Sequence, residues 1–492
     1  MKRASEPENQ NKAVKSEETA APAKQANESL EAEMGEFEDP YGDDFESEDE
    51  VFEAGETGNP DDIADVEGTT EDKPESRQRI YIPHRSAPLG SNETMEPDYS
   101  TYVMLHSFNV RWPSLSFGIV PDAAGSDRKK FPHQMYLVSG TQASQPKENE
   151  INMMKLSSLS KTLIKDESDD ENSDDDEDDD GVDTDPVLES RDIPTNSTSN
   201  RVRVSPFASR TNEVLAANFA ENGNVNLWDL TGAYQSLTRA GAQWSKKPLH
   251  TVTAHGSVEG YALDWSPLIQ SGSLLSGDVE GKICWTTRHP QGWVTDPQPF
   301  MNPVKGHSIE DLQWSPVEKT VFASTGSDGH VRIWDTRQQK RQPALGVRAS
   351  DVDVNVMSWN TRAPHLLATG HDDGQFSVWD LRTFTKGQPV ANFGFHKQAI
   401  TSIEWNPNDE SVLALGSEDS TVSLWDLSVE ADDEEVAEQR RQAQGDLEGI
   451  PSQLLFLHWQ PNAKEVHWHP QIPGAVVSTG SDGFSVWKSI SV

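Results

Sequence analysis

The chain has 492 residues, 82 of them acidic and 41 basic, for a formal net charge of −41, with 34% hydrophobic residues and one cysteine, Cys284. That length allows several domains or one large repeat architecture, and the low apolar content implies that part of the chain does not fold. The charge repels phosphate backbones, a lone cysteine excludes a disulfide framework or cysteine zinc site, and no run approaches the ~20 apolar residues of a membrane-spanning helix. A soluble intracellular monomer is expected, without cofactors and without direct nucleic-acid or membrane contacts.

The acidity is concentrated in three places. Residues 1–80 carry −17, residues 166–185 carry −14 and residues 430–448 carry −6, which leaves about −4 for everything else. Residues 1–76 read as a disordered acidic tail, with Phe37, Tyr41, Phe45 and Phe52 scattered through it and no apolar run of a secretory signal behind the first charges. Residues 77–107 are expected to hold a closing strand and a helix. RIYIPHR at 79–85 alternates as a short strand that completes the last blade. Residues 97–107 fit one helix, with Pro97 at its start and Tyr99, Tyr102, Val103 and His106 on one side.

From residue 108 to 492 the chain repeats itself. Trp265-Ser266-Pro267, Trp314-Ser315-Pro316 and Trp405-Asn406-Pro407 mark one element; NVNLWDL at 224–230, VRIWDTR at 331–337, FSVWDLR at 376–382 and TVSLWDL at 421–427 mark another. The tryptophans of this second element, with weaker copies at Trp285 and Trp487, recur at intervals of 45 to 62 residues. Each unit holds three or four short runs of period two, bounded by Gly, Asp, Pro and Ser, which is a small antiparallel sheet. A sheet that small cannot bury both faces alone, and stacking copies into a ring leaves only short edges. PSLSFGI, QMYLVSGT, INMMKLS and VLESRDI within 108–195 supply a seventh unit. The fold class is all-β, a seven-bladed β-propeller with acidic insertions at 166–185 and 430–448.

These units resemble WD repeats. In that family a His before the first strand, an acidic turn and the later Trp join a Ser or Thr in a buried network that locks each blade. The matching positions are His307, Ser324, Asp328 and Trp334; His255, Asp278 and Trp285; and His396, Asp419 and Trp425. Because the spacing recurs blade after blade, these His–Asp pairs read as structural, with partners that a buried charge requires.

No phosphate loop, HExxH or CxxC occurs, and no catalysis is expected. Asp176, Asp178, Asp180 and Gly181 imitate the opening of a calcium loop, but Val187 stands where the bidentate Glu belongs. The acidic runs themselves, Asp174, Asp175, Asp176, Glu177, Asp178, Asp179 and Asp180 in one insertion and Asp432, Asp433, Glu434 and Glu435 in the other, are candidate contacts for a basic client. A bare acidic run is otherwise a solvated loop. Ser47, Ser168 and Ser173 have acids where an acid-directed kinase prefers them.

RWPSLSFGIVPD at 111–122 and GTQAS at 140–144 are similar to the N-terminal signature of histone-binding WD-repeat proteins of the retinoblastoma-binding and chromatin-assembly type, and LEGIPSQLLFLH at 447–458 resembles that family's binding loop. The resemblance implies a groove for a basic amphipathic helix, with Tyr99, Tyr102, Val103 and His106 on one wall and Leu454, Leu455, Phe456 and Leu457 on the other. Asp446 and Glu448 would face arginines or lysines. The run QLLFLH equally suits a blade's outer strand. RIYIPHRSAPL, EDLQWSP, DVNVMSWN and KEVHWHPQIPG place residues 79–492 nearest the glutamate-rich branch of the family. That branch implies a nucleolar factor, nuclear with some cytoplasmic shuttling, that chaperones a basic large-subunit ribosomal protein, ribosomal protein L three, to pre-60S assembly factors. Histone binding is the other implied activity, and a ubiquitin-ligase adaptor is an alternative from a different class.

Overall fold

Alternation of apolar and polar residues, cut at regular intervals by Gly and Asp turns, leaves each segment one course: pair with its neighbour and bury one face against the next unit. The computed structural model describes residues 81–82, 86, 95–162, 185–239, 241–430 and 450–492. They form seven antiparallel sheets, each the blade of one β-propeller. Blade 1 spans Ser114–Val120, His133–Thr141, Glu150–Leu159 and Val187–Pro194; blade 2 runs from Ser199–Val204 to His250–Val252. Blades 3, 4 and 5 begin at Ala262–Trp265, Ile309–Trp314 and Val354–Trp359. Blade 3 has a fifth strand, Phe300–Met301, which pairs with Lys282–His289 beyond the end of its regular outer strand. Blade 6 spans Ile400–Trp405, Val412–Ser417, Thr421–Asp426 and Leu454–Trp459; blade 7 has Glu465–Trp468, Val476–Gly480 and Gly483–Ser489. Trp314, Trp334, Trp379, Trp425 and Trp487 are fully buried between blades. Among the described residues no helix is long and apolar enough to cross a membrane.

The fourth strand of blade 7 comes from the other end of the chain, and it corrects two expectations. Residues 97–107 are not a helix. Asp98 caps a single 3-10 turn, Tyr99–Thr101, and Tyr102–Phe108 then runs antiparallel to Gly483–Ser489, with Leu105 opposite Trp487 and Phe108 opposite Phe484. Tyr102, Met104 and Phe108 are buried, so the segment reads with period two; the free edge of the last blade supplies the pairing that decides against a helix. RIYIPHR is not the closing strand either: Tyr81 and Ile82 have no regular structure, and Ile82 turns back on Ser86, whose N–H reaches the Ile82 carbonyl at 2.9 Å. At the closure Gly483 has φ +119°, and a Cβ there would lie 2.2 Å from the Phe108 carbonyl oxygen, so only glycine fits.

The blade locks differ from one another. Blade 6 has the full network: His396 Nδ1 meets Asp419 at 2.7 Å, His396 Nε2 meets Ser423 Oγ at 2.9 Å, and Trp425 Nε1 donates to the same hydroxyl at 2.8 Å. In blade 3 His255 bridges Asp278 and Ser276, but Trp285 does not join them. Thr286 sits opposite Leu274 as Trp334 sits opposite Phe322, so the indole of Trp285, one residue earlier, projects from the other face and donates to Ser273 at 2.8 Å. In blade 4 Trp334 donates to Ser324 at 2.8 Å, but the network stops there. Arg332, buried four residues beyond Asp328, engages both of its carboxylate oxygens, which leaves His307 only Ser327 Oγ at 3.3 Å. Other blades use residues that no motif marks: Trp228 donates to Asn218 at 2.7 Å, and Trp487 to Ser478, which bonds Gln460.

This difference is testable in urea. His396→Ala strands a buried carboxylate and hydroxyl and should cost about 2–3 kcal/mol. His307→Ala removes one long contact at a half-exposed site and should cost under about 0.5 kcal/mol. Equal shifts in the two unfolding midpoints would contradict the assignment.

Candidate functional site

The expected groove residues divide between the two sides of the closing strand. Leu454, Leu455, Phe456 and Leu457 form the outer strand of blade 6, in register with Thr421–Asp426, and all four are half-buried. Tyr102 packs against them: its ring meets Phe456 edge-on at 5.1 Å, and its hydroxyl reaches His458 Nδ1 at 2.9 Å. His458 is stacked on Trp487 at 4.6 Å, and burial drives it down to about 3, so this seam is held by a neutral imidazole. Leu455 and Phe456 thus help close the seam between blades 6 and 7. Tyr99, 51% exposed, lies on the turn before the closing strand, and Trp459, 44% exposed, ends the outer strand of blade 6. No motif singled out Trp459.

Val103 and His106 face blade 1. The Val103 carbonyl accepts the Thr162 N–H at 3.0 Å, Thr162 Oγ1 accepts the Leu105 N–H at 2.9 Å, and His106 Nε2 meets the Ser160 carbonyl at 2.9 Å. Residues 160–162 are the root of the first acidic insertion, so that root is sewn to the free edge of blade 7. The second insertion is rooted in blade 6, between Thr421–Asp426 and Leu454–Trp459. Both interrupt the same connection, third strand to fourth, and so leave the ring from one face. Blades 6 and 1 are the two neighbours of blade 7. The two most acidic segments of the repeat region therefore flank one blade, an adjacency that only the ring closure creates. Asp174 to Asp180, Asp432 to Glu435, Asp446, Glu448, Ser47, Ser168 and Ser173 lie outside the described residues.

The axis of the ring is charged and internally paired. Innermost strands hand side-chain acceptors to backbone N–H groups of the next blade: Ser116 to Val202 at 2.9 Å, Asp264 to Trp314 at 2.7 Å, Asp311 to Met357 at 3.0 Å, Ser358 to Trp405 at 3.1 Å, Glu404 to Trp468 at 3.1 Å and Glu465 to Phe117 at 2.7 Å. Glu465 is also bound by Arg203 at 2.7 Å and Arg201 at 3.0 Å. Burial opposes its charge, yet Arg203, His467 and Arg201 outweigh that and hold it well below the ordinary carboxylate range. Burial likewise opposes a charged His467, but Glu404 and Glu465 raise it to about 9. Asp264, with burial dominant, is pushed up to about 7. These groups line a cavity of about 200 Å³. Among the described residues no cluster of His, Cys, Asp and Glu is arranged to hold a metal ion.

The signs set the pH profile. Asp264 binds a proton more tightly folded than unfolded, so its contribution is complete below 3.8 and lost as pH rises through about 7. His467 behaves alike from 6.5 through about 9, whereas the contribution of Glu465 is present above 4.5 and lost as pH falls. Asp264→Asn keeps an acceptor for Trp314 and removes the titration. Stability in urea should then fall less steeply between pH 4 and 7 than in the parent; an unchanged slope would exclude this role for Asp264.

Known proteins share both the ring and its closure. Residues 92–160, the closing strand and three strands of blade 1, match the family model of histone-binding protein RBBP4 and its counterpart in the CAF1 complex. Residues 299–335 and 387–426 match the WD domain, G-beta repeat. The chain is 44% identical over 474 residues to ribosome assembly protein rrb1 of Schizosaccharomyces pombe, covering 94% of each. It is 41% identical to glutamate-rich WD repeat-containing protein 1 of Dictyostelium discoideum, over 82% of this chain and 83% of that one. It is 39% identical to protein HEAT STRESS TOLERANT DWD 1 of Arabidopsis thaliana, over 86% and 93%.

Proposed function

The chain belongs to the glutamate-rich WD-repeat family that includes ribosome assembly protein rrb1, and on that premise we propose that it is a ribosome biogenesis factor acting by binding, without catalysis. Its client is a basic large-subunit ribosomal protein, ribosomal protein L three, which it shields and delivers in the nucleolus to pre-60S particles and their assembly factors. The observation that carries this reading is the pair of acidic insertions rooted on either side of blade 7, on one face of a ring whose remaining charge is nearly neutral. Opposed to lysines and arginines, such tracts give fast, salt-sensitive capture, and ribosomal RNA, a denser polyanion, releases the client by competing for the same cations. A histone client is the second reading, favoured by the match of residues 92–160 to the histone-binding family model.

Affinity purification of the full chain at low salt with nuclease, beside a variant lacking 166–185 and 430–448, separates the readings. One stoichiometric large-subunit ribosomal protein, lost with the insertions, is the expected result. Histones in that position would establish the second reading. Recovery of ubiquitin-ligase components with both chains would overturn both.

A further inference from the structure

Against the strongly acidic background, one buried niche at the seam of blades 7 and 1 is basic. The loop between the first two strands of blade 1 is stapled to the equivalent loop of blade 7. Gln471 Oε1 accepts the Asp122 N–H at 2.9 Å, Gln471 Nε2 donates to the Asp122 and Gly125 carbonyls at 2.9 and 3.0 Å, and the Arg128 N–H donates to the Gln471 carbonyl at 3.0 Å. This brings Arg128 beside His469, two residues before Gln471. Arg128 Nη1 is occupied, donating to Asp122 Oδ2 at 3.1 Å and the Gln134 carbonyl at 3.2 Å. Its Nε and Nη2 are buried and have no hydrogen-bond partner among the described residues.

His469 presents a third such donor. It is 1% exposed, and its Nδ1 accepts the N–H groups of Gln471 and Ile472, each at 3.1 Å. The ring proton therefore sits on Nε2, which is buried and also without a partner among the described residues. Burial, then Arg128 and His133, lower His469 to about 3; burial, then Arg128 and Lys488, lower His133 to about 4. Both rings stay neutral at neutral pH and act there as dipolar donors. Lys488, half-buried with Nζ on the Pro473 carbonyl at 2.8 Å, adds a cation. The single buried carboxylate, Asp122, is already committed, since its other oxygen accepts the Ala124 N–H at 2.9 Å. Buried donors without acceptors are costly, about 1–3 kcal/mol each, and rare enough to ask for a ligand.

We propose that this seam is an oxyanion-binding site, in which Arg128 Nε and Nη2 and His469 Nε2 donate to the oxygens of a phosphate or carboxylate group. Planar guanidinium donors beside a neutral imidazole suit a small, multiply accepting anion. The site lies on the face from which the acidic insertions leave the ring, because loops from first to second and from third to fourth strand share one face.

The test uses the full chain and measures its thermal midpoint against inorganic phosphate, and separately acetate, at constant ionic strength set with chloride. A saturable rise with phosphate alone assigns the site to phosphoryl groups; a saturable rise with acetate too extends it to carboxylates. Arg128→Gln, and independently His469→Asn, whose amide oxygen can still accept the Gln471 and Ile472 N–H groups, should raise the half-saturating concentration at least tenfold. If Arg128→Gln does not fold, His469→Asn and Lys488→Gln carry the comparison. Midpoints that follow ionic strength alone, or variants that titrate like the parent, would overturn the proposal.

Discussion

Replacing Glu465 by Ala should destabilise the ring more than any other single change at its axis. The carboxylate is 1% exposed and serves three partners: the Phe117 N–H of blade 1 and the guanidinium groups of Arg203 and Arg201 in blade 2. Removing it leaves two largely buried cations without their counterion, a loss of about 3–5 kcal/mol by analogy with broken buried ion pairs, and strands a backbone donor at the junction of blades 7 and 1. A domain's whole stability is about 5–15 kcal/mol, so the variant should unfold at much lower urea or fail to accumulate as a folded monomer. Glu465→Gln keeps the volume and an acceptor for Phe117 and should fall between the two. Adding Arg203→Met to Glu465→Gln should recover part of the loss, because it removes the stranded charge with its partner. Near-equal midpoints for Ala, Gln and parent chains would mean that blade 7 is held to blade 1 by packing alone.

The ring was legible in the sequence because its signals are local. A Trp, a small-residue turn and alternating residues recur within each unit, and a repeat that cannot bury its face alone implies the stack. What failed were judgements that depend on distant pairings. Residues 97–107 satisfy a helical spacing, but Tyr102–Phe108 meets a free strand edge almost the whole chain away, and that pairing prevails. His307 carries the motif, yet Arg332 takes its carboxylate partner from the neighbouring strand. The blade 3 tryptophan is off by one residue, and a one-residue slip in a strand exchanges faces.

The candidate site shows the same division. Composition located the acidic insertions but could not place them around one blade, since their adjacency arises only when blade 7 closes between blades 6 and 1. The basic niche was invisible for the same reason: Arg128 and His469 are 341 residues apart in number and are joined only through the Gln471 staple. Tyr102 and Phe456 do meet, as the resemblance implied, but as packed partners at 5.1 Å. The outer strand and the groove wall are thus the same residues, with Leu454–Trp459 paired on one edge to its blade.

The strongest dependence on that closure is expected at the N-terminus. A chain beginning at Gln78 retains the closing strand, whereas one beginning at Asn109 removes Tyr102–Phe108 from blade 7. The shorter chain leaves the edge of Gly483–Ser489 unpaired and uncovers the buried positions occupied by Tyr102, Met104 and Phe108, which pack with Trp487, Phe117 and Phe484. Burying three such side chains contributes about 1.5–3 kcal/mol each, and the strand's ladder and the Thr162 contacts are lost with them. An unpaired apolar edge also pairs with other chains. The chain from Asn109 should therefore be insoluble or aggregate at concentrations where the chain from Gln78 unfolds cooperatively as a monomer, as sedimentation and thermal scans would read. A separate peptide of residues 95–109 added in trans should restore solubility in part. If the Asn109 chain were instead monomeric with an unchanged midpoint, blade 7 would be complete with three strands, and the root of the first acidic insertion would have to be held beside it by other contacts.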